Sequence, residues 1–248
     1  MSGKRITLAS RKGGCGKTTT ARVLIAALRL EGLKVAVVDS DPKRDVSLWL
    51  EKVRPYADVN WVHEFTPSNL EKLGEQIDAY AEEADVVITD TGGFGSDAMA
   101  VAILASDAVI IPCMASADGD AMATIGTAKL VQRARGKDPE FLGYRVLFTQ
   151  AKARTLIWQH QSKLIQDAGA PRFETTLSDL TAYPAMSLTA DDGLPGGRAG
   201  AEIAALVAEM RALGWLPPAR KEDATPLFTA AGISEAGGVE PIPATISE

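Results

Sequence analysis

The chain has 248 residues, 46% hydrophobic and 23% charged, with a formal net charge of −6. That apolar content supplies the core of one large α/β domain, and no run approaches the roughly 18 apolar residues of a membrane span. The acidic balance excludes a surface coated in positive charge but leaves room for a local basic patch. Two cysteines, Cys15 and Cys113, are too few for a disulfide framework. The two histidines, His63 and His160, lie outside any metal-like spacing, which argues against a zinc centre or a histidine triad. Residues 1–8 lack the apolar core of a signal peptide, so a cytoplasmic protein is expected.

A β-rich run at 5–9 leads into Ser10-Arg11-Lys12-Gly13-Gly14-Cys15-Gly16-Lys17-Thr18-Thr19, and a helical pattern with Leu24, Ala27 and Leu28 follows. A glycine-rich loop between a strand and a helix start is the context of a phosphate-binding loop. Gly13, Gly14 and Gly16 let the backbone close around phosphate oxygens. The helix start adds unpaired N–H groups and the positive end of its dipole. Lys17 supplies a point charge for the β- and γ-phosphates, and the Thr18 hydroxyl is a Mg²⁺ ligand candidate. The general pattern G-x-x-x-x-G-K-[ST] is not met in full. Its first glycine falls on Arg11, and a second lysine, Lys12, comes next.

Residues 33–39 form a continuous apolar run ending in Asp39, the pattern of a buried parallel strand. Asp39-Ser40-Asp41-Pro42 follows at the edge where open α/β sheets bind ligands, and a helix is predicted over 43–53. Asp41 reads either as the cap of that helix or as a functional acid. Residues 59–62 predict a short edge strand, and 67–83 an amphipathic packing helix with Leu70, Leu73, Ile77 and Tyr80 on one face. The next buried strand, 84–90, ends in Asp90, an acid at a strand tip that can hold Mg²⁺. Thr91-Gly92-Gly93 then gives a loop free to respond to a γ-phosphate.

A helix over 97–105, a strand over 108–112 and a helix over 115–135 come next, the last with a basic end that either complements its dipole or binds. A strand is predicted over 144–149, a helix over 156–168, a final strand over 171–177 and an amphipathic helix over 198–213. From Trp215 the pattern collapses. The folded domain is therefore placed at 1–215, and 216–248 is a Pro/Gly/Ala-rich tail whose composition predicts disorder. That tail lacks the basic amphipathic helix of a membrane anchor, so no membrane partner is expected.

The run K-G-G-x-G-K-T-T at 12–19, Asp-x-Asp-Pro at 39–42 and the acid-tipped strand at 85–93 come in the order of the ParA/MinD superfamily of deviant Walker ATPases. The chain resembles that family over about 4–213, and resembles its short ParA type. The resemblance implies a P-loop NTPase fold, a mostly parallel twisted sheet flanked by helices on both faces. It implies ATP and Mg²⁺, with nucleotide contacts from Lys12, Gly13, Gly14, Cys15, Gly16, Lys17, Thr18 and Thr19. Thr18, Asp39 and Asp90 would serve the metal, Asp41 the attacking water, and Thr91, Gly92 and Gly93 the switch. Lys12 would reach the nucleotide of a second subunit across an ATP-dependent homodimer, near the stretch 116–120. Gln150 and Pro184 are candidate base contacts. Leu180 stands where many members carry a DNA-binding arginine, a departure from the family pattern.

The implied function is a switch that binds DNA without sequence preference and answers to a ParB-like or cargo-adaptor activator. Plasmid partition is its leading use, with nucleoid association when ATP is bound. Lys152, Arg154, Arg172 and Arg198 are DNA-contact candidates, each equally readable as a solvated surface charge. Carboxysome or chemotaxis-cluster positioning is an alternative cargo. A metabolic or cofactor-insertion ATPase is an alternative class, although no Cys-x-x-Cys supports its metal-carrier branch.

Overall fold

The computed structural model describes residues 2–52, 58–63, 69–93, 97–114, 118–152, 155–186 and 194–220. The strands are β1 (Lys4–Leu8), β2 (Val35–Ser40), β3 (Asn60–Val62), β4 (Val86–Thr91), β5 (Ala108–Met114) and β6 (Gly143–Thr149). They form one sheet in the order β3-β2-β4-β1-β5-β6, with parallel pairing throughout. The described helices are α1 (Lys17–Leu30), α2 (Asp45–Lys52), α3 (Glu71–Glu83), α4 (Asp97–Leu104), α5 (Asp118–Arg135), α6 (Leu156–Asp167), the single turn α7 (Ala182–Ala185) and α8 (Gly197–Ala212). This is the P-loop NTPase fold that the sequence predicts.

The apolar runs become strands because both faces of the sheet are covered, so alternation is not needed. β2 and β4 are buried at every position. On one face Leu8, Val37, Ile88 and Ile110 pack with Leu24 and Leu28 of α1 and Ile203 and Leu206 of α8. On the other, Val109, Ile111 and Phe148 pack with Ile103 of α4 and Val131 of α5. There too Val38 and Val87 meet Leu73 and Ile77 of α3. From β1 the chain passes to β2 on one side. After β4 it crosses β1 to enter β5 on the other. The crevice at such a reversal, above the carboxyl ends of the strands, is where open α/β sheets take ligands.

One predicted element differs. In place of a strand over 171–177, the structure has two isolated parallel bridges, Val146 to Arg172 and Ala151 to Ser178. Phe173 donates its N–H to Val146 O (2.9 Å), and Leu177 donates to Phe148 O (2.8 Å). More chain lies between Phe173 and Leu177 than between their partners on β6, so the excess must leave the ladder. The freed N–H groups of Glu174 and Thr175 donate to the Glu209 carboxylate of α8 at 2.9 and 3.0 Å. A side chain satisfies what a strand would have satisfied.

The chain stays fixed to the domain beyond α8. Gly214 turns it at φ +73°. Trp215 and Leu216 are then buried, with Trp215 edge-on to Phe173 at 5.5 Å between centroids. Arg211 pairs with Glu31 and donates to Pro217 O (3.1 Å). Arg220 donates its N–H to Glu31 O (3.0 Å) and pairs with Asp85. The rest of the predicted tail, 221–248, lies outside the described residues.

Candidate nucleotide site

The loop after β1 needs its glycines for two distinct reasons. Gly14 and Gly16 hold φ +73° and +93°, the left-handed region that side chains resist. Gly16 is also the N-cap of α1, and a Cβ there would lie 3.1 Å from Thr149. Thr149, the last residue of β6, donates its hydroxyl to Cys15 O at 2.7 Å and so pins the loop. Lys17 opens α1 and is buried, and its ammonium donates to Lys12 O at 3.4 Å. A cation folded back over N–H groups at a helix start is an arrangement for a polyphosphate. A cavity of about 740 Å³ opens there, bounded by Gly13, Lys17, Thr18, Asp41, Gly93 and Gln150 among others.

Of the acids, Asp41 lines this cavity, while Asp39 and Asp90 are buried at neighbouring strand tips, Asp90 against the lining residue Thr18. Asp39 and Asp90 are register partners on β2 and β4, and both are fully buried. Thr18 donates its hydroxyl to Asp90 Oδ2 at 2.8 Å, while Asp90 Oδ1 is buried with no hydrogen-bond partner. Burial first, and then the charge of Asp39, push the Asp90 carboxyl up to about 7, against the Thr18 donation and the charge of Lys17. An orphaned carboxylate oxygen beside a hydroxyl, in a site with excess negative charge, fits a hard divalent cation. Among the described residues no group of three or more His, Cys, Asp or Glu forms a cage for a metal ion.

Asp39 carries a structural task as well. Its Oδ1 accepts from the Asp41 N–H (3.1 Å), and its Oδ2 accepts from both the N–H and hydroxyl of Ser47 (2.9 and 2.7 Å). The carboxylate thereby holds the turn 40–47 and the start of α2. Asp41, at the cavity edge, accepts from the Lys43 N–H at 3.0 Å. Arg44 completes the turn at φ +58°. The switch glycines come close to that turn. A Cβ on Gly92 would lie 3.3 Å from Pro42 Cδ, and one on Gly93 would lie 3.4 Å from Gly13 N. Thr91 anchors the strand before them by donating to Leu8 O at 2.8 Å. A side chain at either glycine would thus press on the Asp41 turn or on the loop at Gly13.

Lys12 lies at the rim, a third exposed, and its ammonium pairs with the buried Asp120 of α5. The predicted cross-subunit stretch 116–120 therefore touches Lys12 within one subunit; residues 115–117 lie outside the described residues. On the other flank of Gly16 a slot of about 150 Å³ runs between Thr19 and Thr20 of α1 and the segment carrying Leu177, Leu180 and Pro184. Gln150, at φ +48°, borders both slot and cavity. The candidate base contacts Gln150 and Pro184 both line this slot. Leu180 packs against the core.

The DNA-contact candidates are scattered. Lys152 pairs with Asp179 (3.3 Å) and Arg198 with Glu202 (2.9 Å), close together at the turn 178–179, where Arg198 also donates to the Ser178 hydroxyl (2.6 Å). Arg172 sits lower along β6, near Glu174 (3.7 Å), and Arg154 lies outside the described residues. Arg135, at the basic end of α5, pairs with Asp138 (3.0 Å) and donates to Leu104 O (2.6 Å).

Sequence reasoning misses Ser47 and Thr149, whose hydroxyls reach back over long separations. It also misses Arg22, which lines the cavity one helical turn beyond Thr18. Arg22 donates to Asp45 O at 2.7 Å and lies 5.8 Å over the Trp49 ring, and burial pulls its ionisation down. An arginine where an amphipathic pattern faces the core was its available signal.

The profile of the CobQ/CobB/MinD/ParA nucleotide binding domain matches residues 6–211. The chain belongs to this family. It is 30% identical over 186 residues to Protein ParA of Rhizobium radiobacter, covering 73% of this chain and 81% of that one. It is likewise 30% identical over 192 residues to the maintenance of carboxysome distribution protein A of Gloeobacter kilaueensis, covering 76% and 82%. Among solved structures, apo McdA of Cyanothece superposes with a TM-score of 0.69 at 18% identity, over 84% of this chain and 99% of that one. The MinD protein of Pyrococcus horikoshii, complexed with Mg-ADP, superposes with a TM-score of 0.65 at 18% identity, over 85% and 97%. At that identity the likeness is one of fold.

Proposed function

We propose that the chain is a ParA-type ATPase whose Mg²⁺–ATP-bound form is a homodimer with two nucleotides sandwiched between subunits. The observation that carries this reading is the meeting of Gly13, Lys17, Thr18, Asp41, Gly92 and Gly93 at one cavity, with Thr18 donating to Asp90, whose other oxygen is unpartnered. Lys17 and the loop N–H groups bind the phosphates, and Thr18 and Asp90 hold the cation. Asp39 acts on its hydration shell by charge. Bound Mg²⁺ supplies charge neutralisation across the β- and γ-phosphates. Asp41 orients the attacking water, and Lys12, released from Asp120, stabilises charge on the transferred phosphoryl group from the other subunit. Gly92 and Gly93 let the switch follow the γ-phosphate.

The ATP-bound dimer binds DNA without sequence preference through surface cations, with Lys152 and Arg198 as the described pair that share a face. A ParB-like or cargo-adaptor protein speeds hydrolysis and releases it. Plasmid partition in the cytoplasm, on the nucleoid, is the leading use, supported by the ParA relative. The similarity to a carboxysome distribution protein favours cargo positioning as a second reading. Among the described residues no helix is long and apolar enough to cross a membrane.

The test measures DNA retention with ATP, with ADP and without nucleotide, over a salt series. Binding with ATP that weakens steeply with salt is expected. Hydrolysis without DNA binding in any state would overturn the DNA role and leave the ATPase.

A further inference from the structure

The base slot has two walls of unequal strength. One is α1, through Thr19 and Thr20. The other is the irregular segment 177–184, which has one isolated bridge, Ser178 to Ala151 just past β6, and one short helical turn. A carboxylate behind that second wall ties it down. Glu202, on α8 and outside the slot lining, accepts from the Ser178 N–H (2.8 Å), the Ser178 hydroxyl (2.6 Å), the Tyr183 hydroxyl (2.7 Å) and Arg198 Nε (2.9 Å). Arg198 closes the ring by donating to the Ser178 hydroxyl at 2.6 Å.

Ser178 and Tyr183 both line the slot, towards opposite ends of this irregular wall. Burial opposes the charge on Glu202, and the donations from Ser178, Tyr183 and Arg198 outweigh it, holding the carboxyl below its usual range. Burial and the Glu202 contact together push the Tyr183 hydroxyl up, so it remains a donor. One anion therefore sets the separation of the two residues that bound the base.

We propose that Glu202 is a positioning residue for the nucleotide base, fixing the width of the slot by holding Ser178 and Tyr183 to α8. The proposal rests on the nucleotide reading of the phosphate loop. It assigns Arg198 to the same network, as a cation that steadies Glu202. A Glu202→Gln side chain keeps the shape but turns one acceptor oxygen into an NH₂ donor facing donors. The buried groups left unpaired then let the wall relax. The phosphate cradle is untouched, because none of its residues bonds to Glu202.

Calorimetric titration with Mg²⁺–ATP and with inorganic tripolyphosphate, which has no base, tests this. The wild type should bind both. Glu202→Gln, and independently Tyr183→Phe, should weaken ATP roughly tenfold and leave tripolyphosphate at the wild-type affinity. Should Glu202→Gln fail to fold, Tyr183→Phe alone decides. Equal loss for both ligands would mean general damage, and no loss for ATP would mean that the wall needs no anchor; either result overturns the inference. Wild-type protein that binds neither ligand would overturn the nucleotide reading itself, before any variant is compared.

Discussion

Asp90 shows how an unfavourable residue marks a site. A buried carboxylate beside another, with one oxygen unpartnered, costs stability in the nucleotide-free chain. Burial and the charge of Asp39 push its carboxyl up to about 7, above the ordinary aspartate value. The folded state then binds the extra proton, so this contribution to stability is present at low pH and is lost as pH rises through that interval. Asp90→Asn should raise the melting temperature of metal-free protein at pH 8, with the gain shrinking towards pH 5, and should abolish Mg²⁺-dependent hydrolysis. Thermal denaturation across that range checks it; a gain that does not change with pH would contradict the assignment. The residue was legible from an acid at the tip of an apolar run. Its partners, Thr18 and the orphaned oxygen, were half legible, because Thr18 lies in a motif while the orphan exists only in three dimensions.

At the scale of elements, helix starts organise the site. α1 begins at Lys17 behind the left-handed Gly16, and α2 begins under Asp39, whose oxygens take the N–H and hydroxyl of Ser47. Asp39 therefore links the strand tip to the turn that carries Asp41. Ser47→Ala removes one charge-assisted hydrogen bond and should cost about 1.5–3 kcal/mol. It should lower kcat more than it raises KM, because it loosens Asp41 and leaves the phosphate loop alone. Denaturant titration and steady-state kinetics separate the two effects. Six strands and the longer helices were legible because their apolar runs and 3.6-residue periods survive in the fold. The segment 171–177 was misread because β-like composition does not report how much chain the neighbouring strand can pair. Glu209, distant in sequence, absorbs the excess N–H groups.

The whole molecule is a single layered body whose last described residues close it. Trp215 is the last residue of the domain predicted at 1–215 and Leu216 the first of the predicted tail, and both are buried in the core with α1 and α8. Local composition carried no sign of that, since two apolar residues among prolines have no period. Trp215→Ala should cost about 3–5 kcal/mol, seen as an earlier denaturation midpoint, while ATP affinity in the folded protein stays unchanged. Lys12, in contrast, is a third exposed beside the loop, and its ammonium rests on Asp120 of its own subunit. A second subunit would complete the site. The direct test is light scattering with Mg²⁺ and a non-hydrolysable ATP analogue, run beside ATP turnover, on wild type and Lys12→Ala. The predicted result is a nucleotide-dependent dimer in the wild type, with dimer and stimulated turnover lost together in Lys12→Ala. Dimers and turnover that survive the substitution would contradict the account.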